Sequence, residues 1–75
     1  GMMCMEGCFL ECHFDDSEME LMDGTRWLIN PGDLSIVSCW TPTTKVRIDY
    51  VKNNRNFNYK VTNLTDNSIA YVAKP

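Results

Sequence analysis

Glu18-Met19-Glu20-Leu21-Met22-Asp23-Gly24-Thr25-Arg26-Trp27-Leu28-Ile29-Asn30 is the stretch on which the fold turns. Met19 and Leu21 alternate with Glu18, Glu20 and Met22, and Trp27 and Ile29 alternate with Arg26, Leu28 and Asn30. Period-two alternation marks two half-buried strands rather than a helix. Between them stands Asp23-Gly24. A tight hairpin turn needs positive φ at its centre, which glycine adopts without steric penalty. The stretch therefore reads as a β-hairpin with Gly24 in the left-handed region.

The same period runs outward in both directions. Cys8, Leu10, Cys12 and Phe14 alternate with Phe9, Glu11 and His13, and Asp15-Asp16-Ser17 is a turn signal. Beyond the hairpin, Asn30-Pro31-Gly32-Asp33 breaks the ladder, since proline donates no hydrogen bond. Residues 34–40 have no clean period and read as a loop with one short helical turn capped by Asp33, within residues 32–41. Val46, Ile48 and Tyr50 define a fourth strand, Phe57, Tyr59 and Val61 a fifth, and Ile69, Tyr71 and Ala73 face one way along a sixth. The turns between them fall at Asn53-Asn54-Arg55-Asn56 and Thr65-Asp66-Asn67.

Five to six short antiparallel strands in 75 residues imply a single all-β domain, a small SH3-like barrel, with an OB-like barrel as the alternative. Closure would remove the exposed edges that a lone small sheet cannot protect. The expected core is Leu10, Cys12, Phe14, Leu21, Trp27, Ile29, Val46, Ile48, Tyr59 and Val61. Residues 1–7 are expected to be disordered or loosely attached, and Gly1 before Met2 reads as the remnant of a removed tag.

Asp23-Gly24-Thr25-Arg26-Trp27, Pro31-Gly32-Asp33, Val37-Ser38-Cys39-Trp40, Val46-Arg47-Ile48 and Asn63-Leu64 together resemble a family of small, functionally uncharacterised bacterial β proteins. That family shares a D-G-S/T-x-W pattern followed by Asp, Trp and Val positions. The resemblance covers residues 9–73, rests on turns and core tryptophans, and implies a barrel without implying an activity. The Cys- and Met-rich first dozen residues depart from it.

Charge is unevenly spread. Residues 1–24 hold seven acidic side chains and no Lys or Arg, whereas residues 25–75 hold all seven bases against three acids. The net charge is −3. Such segregation is met either by pairing across strands or by a two-faced molecule that docks head to tail. Lys45, Arg47, Lys52, Arg55 and Lys60, interleaved with aromatics, are the nearest approach to a nucleic-acid surface, and with Trp40 they form the candidate interaction surface. The pI of about 4.8 argues against nucleic acid as the partner, because such domains carry a basic footprint.

Cys4, Cys8, Cys12, His13 and Cys39 are candidate metal ligands by type. Their spacing is wrong for strands. Four residues at ~3.3 Å put Cys8 and Cys12 about 13 Å apart, too far for one ion or for a disulfide. They are expected to be core thiols, with a disulfide involving Cys4 or Cys39 as the lesser alternative and no cofactor. Unpaired cysteines favour the cytoplasm, whereas a removed signal peptide would mean export. No apolar run approaches the ~20 residues of a membrane helix.

Cys12 and His13 are neighbours on a strand and point to opposite faces, so they form no nucleophile–base dyad. His13 is the single histidine, and no serine–histidine–acid arrangement is in view. Asp15-Asp16 and the Glu18/Glu20 pair read as solvated faces, and Asn63-Leu64-Thr65, a glycosylation pattern, reads as a turn. The expectation is a non-enzymatic protein-interaction or assembly module acting on another protein or on its own copy. A Cys-dependent metal or redox domain comes second and nucleic-acid binding third.

Overall fold

The computed structural model describes residues 4–52 and 56–74, with the backbone alone at Cys4. Six strands form a closed antiparallel barrel: β1 (Cys4–His13), β2 (Glu18–Leu21), β3 (Arg26–Ile29), β4 (Lys45–Tyr50), β5 (Tyr59–Asn63) and β6 (Ile69–Ala73). The order around the barrel is β1-β2-β3-β6-β5-β4. Two three-stranded meanders thus meet twice, once where β1 pairs with β4 and once where β6 pairs with β3. A 3₁₀ turn (Pro31–Asp33) and the one-turn helix α1 (Leu34–Val37) carry the chain from one meander to the other.

The 18–30 stretch folds as its alternation requires. Met19, Leu21, Trp27 and Ile29 are buried, and Met19 pairs with Trp27 in register. Gly24 sits at φ +92 and its N–H donates to Leu21 O at 3.0 Å. Asp23 holds the turn from the side: its Oδ1 accepts from Thr25 Oγ1 at 2.6 Å and from Thr25 N at 2.9 Å. Burial also follows the sequence pattern in β4, through Val46 and Ile48, and in β5, through Val61. Cys12 and Tyr59 pack half-buried against this core.

Strand β1 departs from its sequence pattern. Phe9 pairs with Leu21, but Glu11 pairs with Glu20, so Leu10 is an extra residue and forms a bulge. A bulge shifts the parity of every side chain beyond it. Phe9 is therefore buried at 1 % exposure, and Cys12 three residues later also faces in. Leu10, expected in the core, is only half-buried. Phe14, also expected there, lies in a 3₁₀ turn (Phe14–Asp16) and is 60 % exposed. The N-terminal segment differs too. From Cys4 onward it is strand, paired through Cys4↔Asp49 to Cys8↔Lys45 with β4, so it is an integral wall of the barrel; residues 1–3 lie outside the described residues.

The second meander closes on the first at a short seam. Among the described residues its register pairs are Leu28↔Ala73 and Ile29↔Val72, and Asn30 N extends it by donating to Tyr71 O at 2.8 Å. Where β3 ends, a side chain takes over. Asp33 Oδ2 accepts from Tyr71 N at 3.0 Å and from Asn30 Nδ2 at 3.3 Å. The sequence suggests Asp33 as a helix cap, yet its carboxylate makes no capping hydrogen bond and serves as a substitute acceptor for the sheet. In β6 the inward residues are Ala70 and Val72, opposite in face to Ile69, Tyr71 and Ala73.

A Cβ at Gly24 would meet no heavy atom within 4 Å, so the cost of a side chain there is backbone strain alone. Gly24→Val is expected to lose about 1–3 kcal/mol, and Gly24→Asn clearly less, because asparagine tolerates the left-handed region. Equal denaturant midpoints for the two variants would contradict the turn. Separately, the Thr25 hydroxyl and N–H hold the Asp23 carboxyl below its ordinary 3.8, and those of Ser68 do the same for Asp66. A depressed pKa stabilises the fold above pH 3.8, and that stabilisation is lost as pH falls through the folded value. Asp23→Asn/Asp66→Asn is therefore expected to lose stability less steeply than the parent when acidified below pH 3.8, as read by urea melts along a pH series.

Candidate functional site at the barrel mouth

The two ends of the barrel are built differently. At one end α1 and the segment after it form a plug. Val37 is fully buried and Trp40 is 7 % exposed, with the Trp40 ring edge-on to Phe9 at 5.7 Å. Trp40 Nε1 donates to Ser68 Oγ at 2.9 Å, and Ser68 Oγ donates in turn to Asp66 Oδ1 at 2.6 Å. Burying an indole is favourable when its N–H finds an acceptor. Trp40, a candidate surface residue from the sequence, is thus a core residue.

At the other end the strands part and leave a cleft of about 250 Å³. Leu21, Trp27, Ile48 and Tyr59 form its apolar walls, Met5 overhangs it, and Glu6, Asp23, Thr25 and Lys74 stand around it. Its aromatic side is a chain of edge-on rings: Trp27 to Tyr59 at 5.4 Å, and Tyr59 to Tyr50 at 5.4 Å. Trp27 Nε1 donates to Thr25 Oγ1 at 3.1 Å, and Thr25 passes the chain to Asp23. Both tryptophans therefore use the same device: indole N–H, then a hydroxyl, then an aspartate two residues before that hydroxyl. At the mouth the device fixes the Trp27 ring against the hairpin turn. Met5 and Tyr50, at 45 % and 40 % exposure, continue the apolar surface outward.

The volume is below the roughly 300–1,000 Å³ of small-molecule sites. It suits an inserted side chain better than a cofactor. Among the cleft residues Glu6, Asp23 and Lys74 are exposed and stand at the rim.

The basic residues singled out in the sequence do not form one groove. Lys45 and Arg47 are exposed on β4, Lys52 is exposed beyond it, and Lys60 is half-buried on β5; Arg55 lies outside the described residues. They are interleaved with acids: Arg47 stands opposite Glu6, Lys60 stands opposite Asp49, and Arg47 Nε reaches Asp49 Oδ1 at 3.3 Å. This is cross-strand charge pairing of the ordinary kind.

Nor do the cysteines gather. Cys8 and Cys12 are half-buried free thiols and Cys39 is an exposed one, so Cys39 is in no disulfide; the Cys4 side chain lies outside the described residues. His13 turns away from the thiols toward Glu11 and Glu20. Asn63 of the glycosylation pattern is buried at 4 % exposure, and its Oδ1 accepts from Thr65 N at 2.8 Å, as a turn residue does. Among the described residues no helix is long and apolar enough to cross a membrane.

Comparison with protein-family models, with curated proteins and with solved structures finds no match to this chain.

The cysteines give a direct check on the packing. Burial pushes the Cys12 thiol above its ordinary 9.0, while Cys39 is exposed. Only the thiolate is nucleophilic. Cys39 is expected to be alkylated at neutral pH at least about tenfold faster than Cys12, measured by timed iodoacetamide labelling and peptide mass spectrometry. Equal rates would mean that the first meander is looser than described.

Proposed function

We propose that this chain is a non-enzymatic assembly module whose contact region is the barrel mouth, and that the occupant of the mouth is a second copy of the chain. The observation that carries the reading is the cleft itself: an apolar, aromatic-walled cavity of side-chain size with its charges confined to the rim. Its inner walls, Leu21, Trp27 and Ile48, are buried, and its outer lip, the exposed Met5 and Tyr50 with the half-buried Tyr59, offers apolar surface to a partner; polar-rimmed apolar surface marks interaction sites.

The choice of occupant rests on the opposite end of the molecule. Phe14 follows the far end of β1, is 60 % exposed, and is flanked by the exposed Asp15 and Asp16. The mouth end bears the exposed Lys52 and Lys74 together with the exposed rim acids Glu6 and Asp23. Phe14 of one copy entering the mouth of the next would set Asp15 and Asp16 against Lys52 and Lys74, on a rim that also carries Glu6 and Asp23. That contact is heterologous, so copies would add head to tail rather than as a closed two-fold pair. Electrostatic steering of this kind weakens with salt.

Light scattering coupled to size exclusion, run over a range of protein and salt concentrations, tests the proposal. The expected result is mass that rises with protein concentration and falls with salt. Phe14→Ser should abolish the rise while changing the unfolding free energy by less than about 0.5 kcal/mol, because the ring is outside the core. Met5→Glu, at the mouth, should have the same effect. A strict monomer at millimolar concentration and low salt would overturn the proposal, as would association that survives both substitutions.

A further inference from the structure

The outer face of β1 and β2, remote from the mouth, brings together a set of side chains that the assembly role does not use. Glu11 and His13 are two apart on β1 and share a face. Glu20 lies directly opposite Glu11 in the β1–β2 register. His13 Nε2 is 2.7 Å from Glu20 Oε1 and 3.1 Å from Glu11 Oε2. One ligand atom from each of the three lies within 4.8 Å of the others. His13 and Glu20 are about three-quarters shielded, with side-chain exposures of 25 % and 24 %.

Two features make this more than a solvated face. Directly opposed like charges destabilise a strand pair, yet Glu11 and Glu20 are held face to face. The nearest base in register, Arg26, stands opposite Glu20 but sends its guanidinium to Glu18 at 3.0 Å and Asp16 at 3.5 Å. The two carboxylates converge instead on a single ring nitrogen. A neutral imidazole nitrogen can carry one hydrogen and so satisfies one carboxylate at a time. A divalent cation would satisfy all three donors together.

We propose that Glu11, His13 and Glu20 form a binding site for a divalent transition-metal ion, with Zn(II) the ion the donor set fits best. One imidazole nitrogen and two carboxylate oxygens are three protein ligands of the kind zinc accepts, and water completes a four-coordinate shell. An imidazole in the set disfavours calcium and magnesium, which take oxygen ligands. Zinc at ~2.0–2.2 Å from each donor would place the donors roughly 3.3–3.5 Å apart. To reach that, the His13–Glu20 pair at 2.7 Å would open by about 0.6–0.8 Å and the His13–Glu11 pair at 3.1 Å by about 0.2–0.4 Å, with the two carboxylates, now within 4.8 Å of each other, settling at the same spacing. The Leu10 bulge supplies the geometry. It resets the parity of β1, so that the Glu11–His13 face is turned outward beside Glu20 while Phe9 stays in the core.

Isothermal titration of the chelator-stripped full chain with zinc chloride tests the site. The expected result is one ion per chain, with His13→Gln and Glu20→Gln each weakening binding at least about tenfold. Asp66→Asn, on a distant turn, should match the parent. Cobalt(II) should bind with visible ligand-field bands and without thiolate charge-transfer absorption. Absence of zinc binding, full affinity in both variants, or a cobalt–thiolate band would each overturn the site. Melts in chelator check that the variants are folded. Should either fail to fold, the His13 ring resonances of the parent decide: a shift at Nε2 on adding zinc supports the site, and unchanged resonances refute it.

Discussion

Closure of β3 against β6 is the constraint on which the rest of the structure depends. The other five junctions between strands are sustained by three to five register pairs, but this seam has two. It is completed by the Asn30 amide on Tyr71 and by the Asp33 carboxylate on the Tyr71 amide. An unpaired amide at a sheet edge is costly when buried and aggregation-prone when exposed. By placing a carboxylate where the next strand residue is missing, the chain seals the barrel and still leaves β3 free to diverge. The divergence matters, because Trp27 lies beyond the last seam pair and its ring becomes a wall of the mouth.

The two ends share one way of burying a tryptophan and differ in what covers it. Trp27 and Trp40 each satisfy the indole N–H through a hydroxyl held by a nearby aspartate. Each relay costs little ordering, since the aspartate and hydroxyl already form a turn two residues long. Over Trp40 the chain lays α1 and closes the core. Trp27, as buried as Trp40, has Tyr59 edge-on against it and shares the cleft with Met5, a flexible side chain that adapts to irregular surfaces. The adaptable Met5 at the cleft is what the proposed assembly role uses.

Much of the fold was legible in the residues. The Asp23-Gly24 hairpin, six strands, and burial of Leu21, Trp27, Ile29, Val46, Ile48 and Val61 all follow from period-two alternation and turn chemistry. The errors have physical causes. Alternation cannot locate a bulge, so the extra residue at Leu10 put Leu10 in the expected core and left Phe9 out, and Phe14, in phase with Cys12, leaves the core because the strand ends at His13 in a 3₁₀ turn. Asp33 before an apolar run looks like a cap, but its role depends on Tyr71, distant in sequence. Trp40 stood in an aperiodic segment whose burial is decided by tertiary contact with Phe9. The candidate sites were less legible still. The mouth is assembled from five strands and the tail after β6, and the Glu11–His13–Glu20 cluster exists only in one register of β1 on β2. His13 was visible as a donor, but the cysteines beside it in sequence drew attention to the wrong partners.

Native-state amide hydrogen exchange at the seam tests most directly whether the barrel is one closed cooperative unit. If closure holds the core together, opening the seam exposes the interior, and the amides of Asn30 and Tyr71 should exchange only through global unfolding. Their opening free energies should then equal those of the slowest amides in β4 and β5 and equal the unfolding free energy from denaturant melts. Seam amides that open at much lower free energy than β4 and β5 would contradict closure, because the two meanders would then separate without unfolding.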